Sequence, residues 1–151
     1  MASADDVVAA ILELTGPVDT FKLQKLLYYC QAWHLAWDGE PLFEDRIEAW
    51  ANGPVVPSVF RQHRGRYHIS RWGRGNPKNL APAEIESVEA VVDFYGRWRG
   101  FELAELTHRE RPWKEARERA GLRPGDRGNE EVDRVAMADY YAGLIGTGDD
   151  R

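Results

Sequence analysis

The chain has 151 residues, a formal net charge of −5, a hydrophobic fraction of 43%, and six tryptophans, six tyrosines and five phenylalanines. That is enough for one domain with a proper core, and the acidic balance disfavours general nucleic-acid binding while leaving room for a local basic patch. Cys30 is the only cysteine, which excludes an intrachain disulfide and a CxxC-type metal site, and no apolar run approaches the roughly 18 residues of a membrane helix.

The first residues, MASADDVVAAILEL, carry acids where a signal peptide carries lysine or arginine, so the expectation is a cytoplasmic protein. Residues 4–14 read as a short helix that buries Val7 or Val8, Ile11, Leu12 and Leu14, with Ser3 as cap and Asp5 and Asp6 at the positive end of its dipole. Thr15-Gly16-Pro17 breaks it. From Asp19 to Gly39 follows the helix around which the fold is expected to be organised. Leu23, Leu26, Leu27, Cys30, His34 and Trp37 recur at steps of three and four, which stacks them on one face. Tyr28, Tyr29 and Trp33 widen the apolar surface, so this helix should be covered on several sides. Asp19 suits its N-cap and Gly39 a left-handed end.

After Gly39 the helical period stops. Pro41-Leu42-Phe43 reads as a loop lying back on the core, and Arg46 to Trp50 as a short extended segment with Ile47 and Ala49 on one side. Asn52-Gly53-Pro54 is a turn signal, and Pro57 opens a helix to about His63 that buries Val59 or Phe60. Residues 61–79 then hold five arginines, one lysine, two histidines and no acid; Tyr67 to Ser70 read as a strand of a small hairpin. A helix from Pro82 to about Trp98 turns Ile85, Val88, Val91, Val92 and Tyr95 inward and keeps Glu84, Glu86 and Glu89 wet. Two short helices follow, one ending near Thr107-His108 and one from Pro112 to Gly121. Beyond the polar loop 121–129, the last helix starts at Asp133, with Val132 and Met137 spaced as a hydrophobic staple and Met137, Tyr140, Tyr141 and Leu144 as its stripe. The domain is expected to span residues 1–145, and 146–151 to fray. The fold class is mainly α: a helical bundle around a central aromatic-rich helix, with at most a small β-hairpin.

Three constellations invite chemistry. Cys30 and His34 lie one turn apart, acceptable metal-ligand spacing, yet both fall on the buried stripe and no second cysteine exists; packing is the favoured reading, and no metal or cofactor is expected. His108 with Glu110, or His63 with His68, has the composition of a general acid–base pair, without a nucleophile motif or phosphate-binding glycine loop beside it. The basic segment sets Arg64, Arg66, Arg71 and Arg74 beside the aromatics Tyr67 and Trp72. That combination serves a solvated loop whose arginines bridge to the protein's own acids, a contact with an acidic protein partner, or a nucleic-acid contact disfavoured by the net charge.

Three segments in order, KLQKLLYYCQAWHLAWDGEPLF (22–43), EAWANGPVVPSVF (48–60) and ELAELTHRERPWKEA (102–116), together resemble the signatures of the Panacea domain, an antitoxin domain also described as phage-associated or SocA-like. The matching positions are Leu23, Lys25, Leu26, Leu27, Tyr28, Leu42, Ala49, Trp50, Gly53, Pro54, Val55, Leu106, Thr107, His108, Pro112 and Trp113. Lys25, Thr107 and His108 are the polar exceptions in an otherwise apolar or backbone-shaping set. The segment between Arg61 and Pro82 carries no recognisable family pattern. The resemblance implies a small α-rich protein without enzymatic activity, paired with a cognate toxin protein in a bacterial or phage toxin–antitoxin system. Such domains commonly neutralise by forming a complex, whereas one member delivers its toxin to a ClpXP protease. The alternatives for this chain are therefore a proteolytic adaptor or a DNA-binding autoregulator at its own operator, with an orphan hydrolase using His108 and Glu110 behind them.

Overall fold

The structure, a computed structural model, describes residues 2–148. Among them are seven α-helices and four very short strands: α1 (Ala4–Thr15), β1 (Val18–Asp19), α2 (Thr20–Asp38), β2 (Glu48–Trp50), β3 (Gly53–Val55), α3 (Pro57–His63), β4 (His68–Ile69), α4 (Pro82–Tyr95), α5 (Gly100–Arg109), α6 (Arg111–Arg119) and α7 (Arg134–Gly148). This is the mainly α bundle expected.

Helix α2 is the axis. The Asp19 carboxylate accepts from the Lys22 amide at 2.7 Å, and Gly39 ends the helix at φ 82. Helices α1, α4, α5 and α7 all lie against it. Leu23, Leu26, Leu27, Tyr28, Tyr29 and Cys30 are buried, and each apolar side chain taken fully out of water contributes roughly 1.5–3 kcal/mol. Trp37 departs from the expected stripe: it sits in the last turn, past the covering helices, and is exposed. The staple before α7 is present, with Val132 and Met137 buried and the Asp133 carboxylate capping the Ala136 amide. Helix α7 continues through Gly148, into the segment expected to fray, and residues 149–151 lie outside the described residues.

Helix α1 is capped by a reciprocal pair. The Ser3 hydroxyl accepts from the Asp6 amide and the Asp6 carboxylate from the Ser3 amide. Leu14 and Ile85, both read as inward, instead rim a shallow groove between α1 and α4 and stay partly in water. Ala10, Val88 and Val91 fill the contact below them.

The strand expected at Tyr67–Ser70 exists as β4, but not in a local hairpin. It pairs antiparallel with β1, Val18 opposite Ile69 and Asp19 opposite His68, while Thr20 donates to the carbonyls of Arg66 and Tyr67. The hairpin lies at β2–β3, where Ala49 faces Pro54 and Trp50 faces Gly53. The turn falls at residues 51–52, so Gly53 and Pro54 already belong to β3. Ile47 and Ala49 point inward as read, and residues 130–132 run along β2 through hydrogen bonds to Ala49 and Ile47.

Candidate functional site: a cleft floored by a buried lysine

The start of α2, the β2–β3 hairpin, α3, the segment Gly65–Tyr67 and residues 127–129 together enclose a cleft of about 880 Å³. Its floor is Lys25, one of the three polar signature residues. The side chain is completely buried and Nζ has no hydrogen-bond acceptor among the described residues; it lies over the Phe21 ring, 4.1 Å from the centroid. Burial pushes the ammonium down to about 7, against the pull of the Asp19 carboxylate, which raises it. The hairpin is shaped to admit this lysine. Gly53 sits at φ 124, which L side chains rarely adopt, and a Cβ there would lie 2.6 Å from Lys25 Cε and 3.4 Å from Thr107 Oγ1. Gly53→Ala is therefore expected to cost about 1–3 kcal/mol, read as a lowered urea midpoint at unchanged slope.

Thr107 is buried and bonds back to the Ala104 carbonyl at 2.6 Å, closing the end of α5. His108 stacks on Trp113 with ring centroids 4.0 Å apart, and its Nε2 is buried without a hydrogen-bond partner among the described residues. Its pKa is lowered, first by burial and then by the Lys25 charge. The indole N–H of Trp113 donates to the Trp50 carbonyl at 2.9 Å, so two separate signature segments lock to each other beside the cleft. Pro112, Leu23, Leu26, Leu27, Tyr28, Leu42, Ala49, Pro54 and Val55 are buried scaffold, whereas Trp50 and Leu106 are half-buried.

The acid–base pairs do not assemble. Glu110 turns away from His108 into a tyrosine cluster, where one of its oxygens accepts from Tyr29 at 2.8 Å and from Tyr141 at 2.7 Å. Tyr141 in turn receives the Tyr28 hydroxyl at 3.1 Å. Burial raises the Glu110 carboxyl to about 7, with the two tyrosine bonds pulling it back. His63 is buried and held by Gln24 at 3.0 Å, while His68 is exposed on β4. Nor is Cys30 a ligand position. Burial drives its thiol well above the ordinary range, and both His34 nitrogens are engaged, Nδ1 with Ser87 at 2.7 Å and Nε2 near Asp38 at 3.5 Å. Among the described residues no group of three or more potential ligands could hold a metal ion.

The basic segment is tied down at both ends, by β1 and Thr20 around residues 66–69 and by α1 over 72–79. Trp72 is half-buried, its indole N–H donating to Asp5 at 2.9 Å; Asp6 accepts from the Asn76 amide at 2.8 Å and from Asn79 at 3.1 Å. The two acids read as dipole partners of α1 are thus also the clamp of segment 72–79. Burial acts to raise the Asp6 carboxyl, but the bonds from Asn76, Ser3 and Asn79 outweigh it and its pKa is lowered. Arg64, Arg66, Arg71 and Arg74 are exposed and form no salt bridge among the described residues, so the reading in which they bridge to the protein's own acids fails. Tyr67 is 86% exposed. Only Arg66 and Tyr67 of this set border the cleft; Arg64, Arg71, Trp72 and Arg74 lie outside it.

Sequence reading missed three buried polar side chains that tie loops and hairpin to the helices. Gln24 pairs with the backbone of Val56, and Gln31, seven residues on, with the backbone of Leu42 and Phe43. Arg117 donates to the carbonyls of Ala49, Arg123 and Asp126, tying the hairpin to the 121–129 loop. Glu110 was named, but beside His108 rather than with its actual partners Tyr29 and Tyr141. The available signal was the helical spacing of Gln24 and Gln31 on an otherwise apolar helix.

The family model described as "Antitoxin SocA-like, Panacea domain" matches residues 23–114, the span from the first core leucine of α2 to α6. The chain belongs to the SocA-like Panacea antitoxin family. Over 118 residues it is 43% identical to "Antitoxin SocA" of Caulobacter vibrioides (strain NA1000 / CB15N), an alignment covering 70% of this chain and 62% of that protein. The chain therefore spans less than two thirds of that relative's length. No solved structure matches. The family match takes in the cleft's lysine, its hairpin and the Thr107-His108 junction, and also the arginine-rich segment that carries no recognisable signature of its own. No helix among the described residues is long and apolar enough to cross a membrane.

Proposed function

We propose that this chain neutralises a cognate toxin by direct protein–protein binding, with no chemistry of its own, and that the contact face comprises the rim of the cleft and the adjoining segment 64–74. Family membership supports the antitoxin role. The observation that carries the choice of face is the set of four exposed arginines without salt bridges among the described residues, on a segment pinned to the start of α2 at Arg66 and Tyr67 and to α1 at Trp72. A pre-ordered segment loses less conformational freedom on binding. Arginine and tyrosine are side-chain types that dominate interface energetics, and guanidinium groups pair carboxylates bidentately.

Arg66→Glu/Arg71→Glu is the test. It should weaken capture of the product of the adjacent open reading frame by several kcal/mol, because attraction becomes repulsion in a desolvated patch. The melting temperature should hold, since both side chains are exposed and outside the core. Unchanged capture by the folded double variant moves the contact face elsewhere. The adaptor and autoregulator alternatives are separated by the same variant. Lost binding to promoter DNA with retained toxin capture selects the autoregulator, and toxin capture that protects cells only when a ClpXP-type protease is present selects the adaptor.

A further inference from the structure

We propose that the cleft is a receptor for a carboxylate carried next to an apolar side chain on the bound polypeptide, with Lys25 as the buried cation that receives it. This deepens the direct-binding reading and rests on it for the nature of the ligand. An ammonium has three donors and no acceptor role, yet Lys25 Nζ is fully buried and satisfies none of them among the described residues. A scaffold position has no need of such a group, because an apolar side chain of similar length packs there at lower cost. The surroundings are nonetheless arranged for it. Gly53 leaves out the Cβ that would strike the lysine stem, and Phe21, half in water, lays its ring beside the charge.

The remaining walls select what accompanies the carboxylate. Trp50 and Phe60, edge to face at 4.9 Å, line the cleft with Phe21 and Tyr67, so an aliphatic or aromatic side chain finds apolar surface beside the cation. Three other charges border the volume besides Asp19. The Glu48 carboxylate is already taken by Arg46 and the Trp50 indole, both at 2.8 Å, whereas Arg66 and Arg127 make no ion pair among the described residues. Asp19 is occupied as the cap of α2. The uncommitted charge at the cleft is therefore positive. A volume of about 880 Å³ falls within the range of ligand clefts, roughly 300–1,000 Å³. One buried ammonium among aromatic walls matches a single carboxylate rather than a polyphosphate, which calls for a cradle of backbone N–H groups.

Arrival of a carboxylate restores the lysine's charge, so binding takes up a proton. The titratable groups facing Lys25 are Asp19 on β1, His63 on α3 and His108 on α5; both histidines are held low, by burial first and by Lys25 second. Between about pH 7 and 9 they are neutral and Lys25 is the group that changes.

The test uses three peptides, acetyl-Gly-Phe-Leu with a free C-terminal carboxylate, its C-terminal amide, and acetyl-Gly-Phe-Glu amide. Each is titrated into the full chain while the backbone amide signals of Lys25, Gly53 and Tyr67 are followed by NMR. Both carboxylate peptides should shift these signals and the neutral amide should not; the tighter of the two identifies a chain terminus or an acidic side chain as the source. Affinity should fall roughly tenfold per pH unit above about 7, a measurement that needs no variant. Lys25→Met should lose binding while melting no lower than the parent. No shift from either carboxylate peptide at millimolar concentration, equal binding of the amide, or a pH-independent affinity each overturns the site. Toxin capture keeps the two claims apart. If the parent captures the adjacent gene product and folded Lys25→Met captures it equally, the receptor is overturned and direct binding stands. If the parent captures nothing, direct binding fails and the peptide titration alone decides the cleft.

Discussion

Between pH 5 and pH 8 the parent protein is expected to lose stability that Glu110→Gln keeps. Glu110 is buried and its carboxyl is raised to about 7 from an ordinary 4.5, burial being the main cause. The folded state then holds a proton that the unfolded chain has already released. Stability from this group is fully present below about 4.5 and is lost as pH rises through about 7, a change of order 3 kcal/mol from a shift of this size. Glutamine keeps an oxygen to accept both Tyr29 and Tyr141 and has nothing to ionise. Urea midpoints for parent and variant should converge near pH 5 and separate near pH 8, the glutamine form being the more stable. Glu110→Ala should be destabilised at both, because two tyrosine hydroxyls lose their acceptor in the core. The same pH slope in the glutamine variant would remove Glu110 as its source. Lys25 acts in the neighbouring window with the opposite sign. It is depressed from 10.5 to about 7, so the folded state releases a proton that the unfolded chain keeps, and stability rises from about pH 7 towards 10.

The apolar skeleton was legible and the polar frame was not, for a physical reason. Asp19, Gly39, Val132 and Met137 are local signals, whose meaning depends on residues within a turn or two, and each stands where the pattern placed it. Gln24, Gln31, Glu110 and Arg117 draw their meaning from partners far along the chain. Periodicity marks which residues leave water and says nothing of which distant carbonyl or hydroxyl a buried polar group will meet. Lys25 shows both sides. Its place among the polar exceptions was evident, but its burial depends on Gly53 having no side chain across the cleft. The β4 strand was missed as a partner of β1 for the same reason, since hairpin logic assumes a local mate. Leu14, Ile85 and Trp37 were over-read because a helical stripe continues in sequence after its covering element has ended.

Leu27→Asp is expected to abolish cooperative unfolding and toxin capture together. Leu27 is completely buried on α2, among side chains that serve four neighbouring helices. A carboxylate there must either ionise without a partner or hold its proton without one. Either outcome forfeits the leucine's burial and adds the cost of an unsatisfied polar group, several kcal/mol in all, against a total stability of about 5–15 kcal/mol for a domain of this kind. Leu27→Met supplies the control, because it conserves volume and should cost less than about 1.5 kcal/mol. Circular dichroism should show a broad, sloping melt for the aspartate form and a sharp one for the methionine form. On the contact face proposed above, the loss of capture runs through the frame of the cleft. Lys25, Gln24 and Phe21 project from the same helix, so a core that no longer fixes α2 no longer fixes the cleft. A Leu27→Asp protein with a sharp transition and unimpaired capture would show that the core tolerates a charge at its axis, and that the cleft does not take its shape from it.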